Sequence, residues 1–266
     1  MSTALEELFA TTRSERAILI GYIPAGFPTQ EASYRIIQAM IDGGVDAIEI
    51  GFPYSDPVMD GPIIQAAADQ ALANGVGAKE VFETLRFAAD LVPSVIMTYW
   101  NPIERFGVDN FAKELAAHGG SGVITPDLTI EESKEWIAAT DSHQVNRIYV
   151  VAQSTQPERL QNVTSQTNGF IYAASLMGVT GLRTSVASGA HELVARIRAV
   201  SEVPIAVGLG VSNAEQAAEV AGYADGVIVG SAFIRAVQEA NSLDEGVAAV
   251  RLLAESLAAG VRSQKR

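Results

Sequence analysis

Short apolar, β-branched runs recur along the chain, separated by longer stretches in which apolar positions return every three or four residues. The runs at 17–23, 47–51, 94–99, 122–126, 147–152, 169–175, 204–208 and 226–230 predict eight strands. Helical periodicity occupies the intervals, at 31–42, 79–91, 110–118, 131–139, 191–200 and 213–221. Thr129 and Ser212 stand where side-chain N-caps are expected, and a further helix is expected at the N-terminus. Strict alternation of β and α elements demands parallel strands joined by right-handed crossovers. Eight such units close most naturally into an α/β fold of the (β/α)8 TIM-barrel type. An open doubly wound sheet is the rival, but it rarely uses eight equal units without a Gly-rich dinucleotide turn after its first strand.

Two strand-to-strand intervals are long: 47 residues from Ala47 to Ser94, and 35 from Gly169 to Pro204. The excess is expected in loops directly after the second and sixth strands. Barrel active sites are built from loops at the C-terminal strand ends, so both are candidate substrate loops.

Composition narrows the class. At about 150 residues per domain, 266 residues suggest nearly two domains, yet one α/β barrel uses about 250. A single barrel domain over 1–266 is therefore expected. A hydrophobic fraction of 48% supports a full core and excludes a disordered chain. Lys and Arg number 18 against 31 Asp and Glu, a formal charge of −13, which provides no basic surface for nucleic acid or an anionic membrane. Cys is absent, which removes disulfides, thiol catalysis and thiolate metal sites. His118, His143 and His191 are too scattered for a zinc-ligand pattern. No signal-peptide core lies in residues 1–16 and no run of 18 apolar residues occurs, so a cytoplasmic protein is expected.

In the second strand, Ala47, Glu49 and Gly51 share one face, and Ile48 and Ile50 the other. The isoleucines suit the helices, which places Glu49 inside the barrel beside two small residues. A poorly solvated carboxyl there has a raised pKa suited to proton transfer. The alternative is a buried Glu neutralised by Lys or Arg, and no basic residue is evident at a neighbouring strand end. The loop that follows carries Asp56 and Asp60, either of which could simply form a turn. Three glycine-bearing turns follow strands six, seven and eight: Gly178-Val179-Thr180-Gly181, Gly208-Leu209-Gly210 and Val229-Gly230-Ser231-Ala232. Their positions suit a phosphate held by backbone amides and a helix N-terminus, because none of them contains Lys.

The segment from Gly44 to Gln65, with Glu49-Ile50-Gly51-Phe52-Pro53-Tyr54-Ser55-Asp56-Pro57 at its centre, resembles the signature of the tryptophan synthase α subunit family. Further matches are Met97-Thr98-Tyr99-Trp100-Asn101-Pro102, Pro126-Asp127-Leu128, Ser175-Leu176-Met177-Gly178-Val179-Thr180-Gly181 and the segment from Gly226 to Ala232, in one order across essentially the whole chain. The resemblance implies retro-aldol cleavage of indole-3-glycerol phosphate to indole and glyceraldehyde 3-phosphate. It implies Glu49 as general acid/base and Asp60 as the carboxylate facing indole N1–H, with Asp56 left as a turn residue. Tyr172 matches a tyrosine beside the glutamate, with core packing as the alternative. Tyr22 and Met97 match indole-pocket positions, with core filling as the alternative, Thr180 matches a closing loop, and Gly181, Gly210, Gly230 and Ser231 match the phosphate site. No cofactor or metal is implied in this chain; the implied partner is a β subunit that carries pyridoxal phosphate, in an α2β2 assembly.

Pro24, Phe27, Thr129, Gln153 and Leu209 depart from the family's usual residues, in pocket lining and in loops near the partner. Three alternatives to the lyase subunit stay open at this point. They are a stand-alone indole-releasing lyase, another phosphosugar barrel enzyme, and a non-catalytic barrel.

Overall fold

A computed structural model describes residues 2–174, 183–208 and 210–264. Eight parallel strands close into a barrel in sequence order: β1 (Ile18–Pro24), β2 (Ala47–Gly51), β3 (Ser94–Met97), β4 (Gly122–Thr125), β5 (Asn146–Ala152), β6 (Ile171–Ala174), β7 (Ile205–Gly208) and β8 (Gly226–Val229). β8 returns to pair with β1, Ile20 against Ile228, so no open edge remains. The helices are α1 (Ala4–Thr12), α2 (Gln30–Asp42), α3 (Pro62–Ala73), α4 (Ala78–Ala89), α5 (Trp100–Phe106), α6 (Val108–Ala117), α7 (Lys134–His143), α8 (Pro157–Gln166), α9 (Arg183–Arg198), α10 (Ala214–Ala221), α11 (Ser231–Gln238) and α12 (Leu243–Ser263). None of the described helices is long and apolar enough to cross a membrane.

The strand parity holds. Ile18, Ile20, Ala47, Val95, Ile124, Ile148, Phe170, Ala206 and Ile228 form an inner apolar plug, while Ile48 and Ile50 belong to the separate layer between strands and helices. Leu5 and Phe9 of α1 join the inner plug, with the Phe9 and Phe170 ring centroids 5.8 Å apart. A capping box of Thr3 and Glu6 starts α1. Thr3 Oγ1 donates to Asn146 Oδ1 at 2.6 Å, and Asn146 Nδ2 donates to Glu6 Oε1 at 3.0 Å. The N-terminal helix thus packs on the inner plug at the N-terminal ends of the strands.

Several sequence expectations need correction. The 131–139 helix begins at Lys134, and Thr129 does not cap it: its hydroxyl donates to Glu132 Oε2 at 2.8 Å in the preceding turn. The cap of α10 is Asn213, which accepts from Gln216 N–H at 3.0 Å, whereas the Ser212 amide and hydroxyl bond to the Gln216 side chain. The 191–200 helix extends back to Arg183. The long second interval holds a loop and an entire extra helix, α3, started by Pro62 at its first position. The loop expected after β6 covers residues 175–182, outside the described residues.

The outer helices touch closely at one point. A Cβ on Gly260 would come 2.2 Å from the Ala214 carbonyl oxygen at the start of α10. Gly260→Ala would gain up to about 1 kcal/mol of helix propensity. It would lose about 1–3 kcal/mol to overpacking against backbone that cannot swing away. Net destabilisation is the expected result, read as a lower urea midpoint with an unchanged slope.

Candidate active site

At the open end, the top layer of inward residues stops filling the barrel. A cavity of about 230 Å³ lies there, with Tyr22, Glu49, Asp60, Met97, Tyr172 and Ser231 among its lining residues. Gly210 and Gly230 line it as well, so eight of the ten predicted site residues converge on one space. Thr180 and Gly181, the remaining two, fall outside the described residues, as does Leu209.

Glu49 sits in register between Tyr22 of β1 and Val95 of β3. It is 2% exposed, and its Oε2 has no hydrogen-bond partner among the described residues. Among the described residues, no Lys or Arg lines the cavity and none forms an ion pair with Glu49. Burial, and secondarily the charge of Asp60, raises the Glu49 pKa from 4.5 to about 8. At neutral pH this group holds its proton.

Asp60 reaches the same cavity from the loop between β2 and α3. Tyr99, just past β3, fixes that loop: its hydroxyl oxygen accepts from the Met59 amide at 2.9 Å. Gln65 Nε2 donates to the Asp60 carbonyl at 2.8 Å, and Asn101 Nδ2 donates to Tyr54 Oη at 2.9 Å. Burial raises the Asp60 carboxyl, and a hydrogen bond from Tyr99 opposes the rise. Asp56 is exposed and takes a hydrogen bond from Ser55 Oγ at 2.6 Å. Of the two loop carboxylates, only Asp60 enters the cavity.

Tyr22 and Tyr172 enter the cavity in matching ways. Tyr22 pairs in register with Glu49 and leans over Gly51, two residues further along β2. Tyr172 pairs with Ala206 and leans over Gly208, two residues further along β7. A Cβ at Gly51 would lie 2.3 Å from Tyr22 Oη, and one at Gly208 would lie 2.3 Å from Tyr172 Oη. The two glycines therefore make the space in which the phenols project into the cavity. Burial raises both tyrosines well above the ordinary phenol value.

On the far side, Gly230 precedes α11, whose N-terminus carries no side-chain cap. Gly210 has φ +72°, a conformation that favours glycine, and it borders the same space. Uncapped amides and the positive helix end at Ser231 suit an anionic group without a cationic side chain. The apolar part of the cavity, between Met97, Ile64, Ile124 and Val150, suits a flat aromatic body.

Sequence reasoning gave no role to Tyr99 or Asn101, although both stand in a segment that carried the family resemblance. Their signal was position: residues just past a strand end in a barrel face the active-site loops.

Comparisons with known proteins agree over the full length. A family model described as "Tryptophan synthase alpha chain" matches residues 9–262. A tryptophan synthase alpha chain from Thermobifida fusca is 54% identical, with 99% of this chain and 100% of that protein covered. One from Streptomyces coelicolor is 51% identical, with coverages of 98% and 97%. A crystal structure of tryptophan synthase from M. tuberculosis, in an open form with BRD0059 bound, superposes with a TM-score of 0.89 at 46% identity, covering 98% of this chain and 100% of that one. The tryptophan synthase subunit alpha of Legionella pneumophila superposes with a TM-score of 0.88 at 29% identity, covering 99% and 100%.

Proposed function

The chain belongs to the tryptophan synthase alpha chain family, and we propose that Glu49 and Asp60 carry its reaction, the retro-aldol cleavage of indole-3-glycerol phosphate. The observation that carries this reading is a buried Glu49, its Oε2 unpartnered among the described residues, lining the same cavity as the anchored Asp60, where burial raises its pKa to about 8.

The indole ring lies in the apolar part of the cavity against Met97 and Tyr22, and the phosphate lies at Gly210, Gly230 and Ser231. Glu49 gives its proton to indole C3, and the resulting positive charge reaches N1, where the Asp60 carboxylate stabilises it. Glu49, now a carboxylate, takes the proton of the adjacent glycerol hydroxyl. The carbon–oxygen bond becomes the aldehyde carbonyl, the C3–glycerol bond breaks, and its electron pair returns to the ring. Indole and glyceraldehyde 3-phosphate leave, and Glu49 ends protonated as it began. Tyr172 borders the glutamate and packs on the ring.

The net charge of −13 opposes an anionic substrate at long range, so its capture rests on the local amides. The chain is a lyase subunit of tryptophan biosynthesis whose partner is the tryptophan synthase β subunit. Pyridoxal phosphate belongs to that partner, the assembly is α2β2, and the location is the cytoplasm.

Indole release by the purified chain is expected to be slow and to rise when a tryptophan synthase β subunit is added. Full-rate release without a partner would overturn the subunit reading in favour of a stand-alone lyase. Failure to bind indole-3-glycerol phosphate would revive another phosphosugar barrel enzyme.

A further inference from the structure

The Tyr22 hydroxyl has no hydrogen-bond partner among the described residues, although the residue is only 6% exposed. Its ring is pinned from two sides. A Cβ on Gly230 would lie 2.9 Å from its Cδ1, and one on Gly51 would lie 2.3 Å from its Oη. The phenol therefore points from β1 across the end of β2, above Glu49. Gly51 lies about 6.6 Å along the strand from Glu49, a span covered by an extended glutamate and one hydrogen bond. Glu49 Oε2, on the same inward face, is also unpartnered. The Tyr22 hydroxyl and the Glu49 carboxyl thus project from register-paired residues of adjacent strands into the same cavity, with the unpartnered Glu49 Oε2 one layer below the phenol.

We propose that Tyr22 is a positioning residue that donates a hydrogen bond from its hydroxyl to the Glu49 carboxylate once Glu49 has given its proton to the substrate. The proposal rests on the assignment of Glu49 as the proton-transfer group. The resting site needs no such bond, because neutral Glu49 carries its own proton. The ionised intermediate does need one, since among the described residues the other titratable groups acting on Tyr22 are Asp60, Tyr99 and Tyr172, and none of these is a cation. Asp60 repels the new carboxylate, so a neutral donor held rigidly above it lowers the barrier without adding a fixed positive charge. Phenylalanine would fill the same space and pack on the same glycines; the hydroxyl is the element that chemistry uses.

The test is Tyr22→Phe in the complex with a β subunit, with kcat and KM for indole-3-glycerol phosphate measured across pH 6–10. A hydrogen bond to a charged group predicts a fall in kcat of about ten- to a hundredfold, with KM changed by less than about a factor of three. The alkaline limb of kcat, where Glu49 loses its proton, moves to higher pH, because the variant no longer stabilises the carboxylate. Wild-type kcat with a superimposable pH profile would overturn the proposal and leave Tyr22 as packing. A raised KM at unchanged kcat would also overturn it, assigning the hydroxyl to ground-state binding. Failure of the underlying assignment reads differently: the wild-type enzyme itself would then show no alkaline limb that disappears in Glu49→Gln.

Discussion

Glu49→Gln is expected to bind indole-3-glycerol phosphate with near-native affinity and to release indole about 10²–10⁴-fold more slowly. The amide keeps the size and polarity of the side chain but can neither give nor take the proton. Binding to the uncleaved substrate, measured by calorimetry, separates this outcome from a collapsed site. Retained turnover would remove Glu49 from its role. The same variant has a stability signature. Glu49 titrates near 4.5 in the unfolded chain and at about 8 in the folded one, raised chiefly by burial. The folded state therefore holds one more proton than the unfolded state between those values. The stability this group contributes is fully present below about pH 4.5 and is lost as pH rises towards 8. Relative to Glu49→Gln, wild-type stability should fall by on the order of 1 kcal/mol per pH unit across that window and become flat outside it. Urea midpoints at pH 5, 6, 7 and 8 provide the check: parallel values at all four would show that Glu49 is not held protonated.

Much of this site was legible in the sequence because β geometry converts residue parity into direction. Once Ile48 and Ile50 were assigned to the helices, Glu49 had to point inward, and the inner and outer apolar layers divide along that parity. The glycines after strands seven and eight could likewise be placed by strand count alone. Loop residues lack such a rule. Asp56 and Asp60 are both turn-forming types, and the residue that separates them is Tyr99, forty positions away in sequence from the Met59 amide it holds. The Tyr22–Gly51 and Tyr172–Gly208 contacts are equally invisible in a linear reading, because they depend on the lean of a ring across the next strand. The missed helix α3 has a local cause: its residues Ala66, Ala67, Ala68, Ala71 and Ala73 give weak apolar periodicity, and its start is marked by Pro62 instead of a side-chain cap.

Asp60→Asn tests the second carboxylate, and its outcome should differ in kind. Asparagine can still accept the Tyr99 hydrogen bond, so the Met59 anchor and the course of the loop should survive. The charge facing N1 is lost, and removing one preorganised electrostatic partner costs about 10²–10³-fold in kcat. Asp60 is also the second cause of the raised Glu49 pKa, after burial. Its neutralisation lowers the Glu49 value, and the alkaline limb of the residual activity should move to lower pH. Tyr22→Phe moves that limb the other way, so the two variants report on Glu49 from opposite directions. A pH profile of Asp60→Asn that fell in kcat without moving its alkaline limb would mean that Asp60 acts on the substrate alone and is electrostatically uncoupled from Glu49. Wild-type kcat in this variant would show that the indole cation needs no fixed anion at N1, and the role of the loop would reduce to closing the cavity.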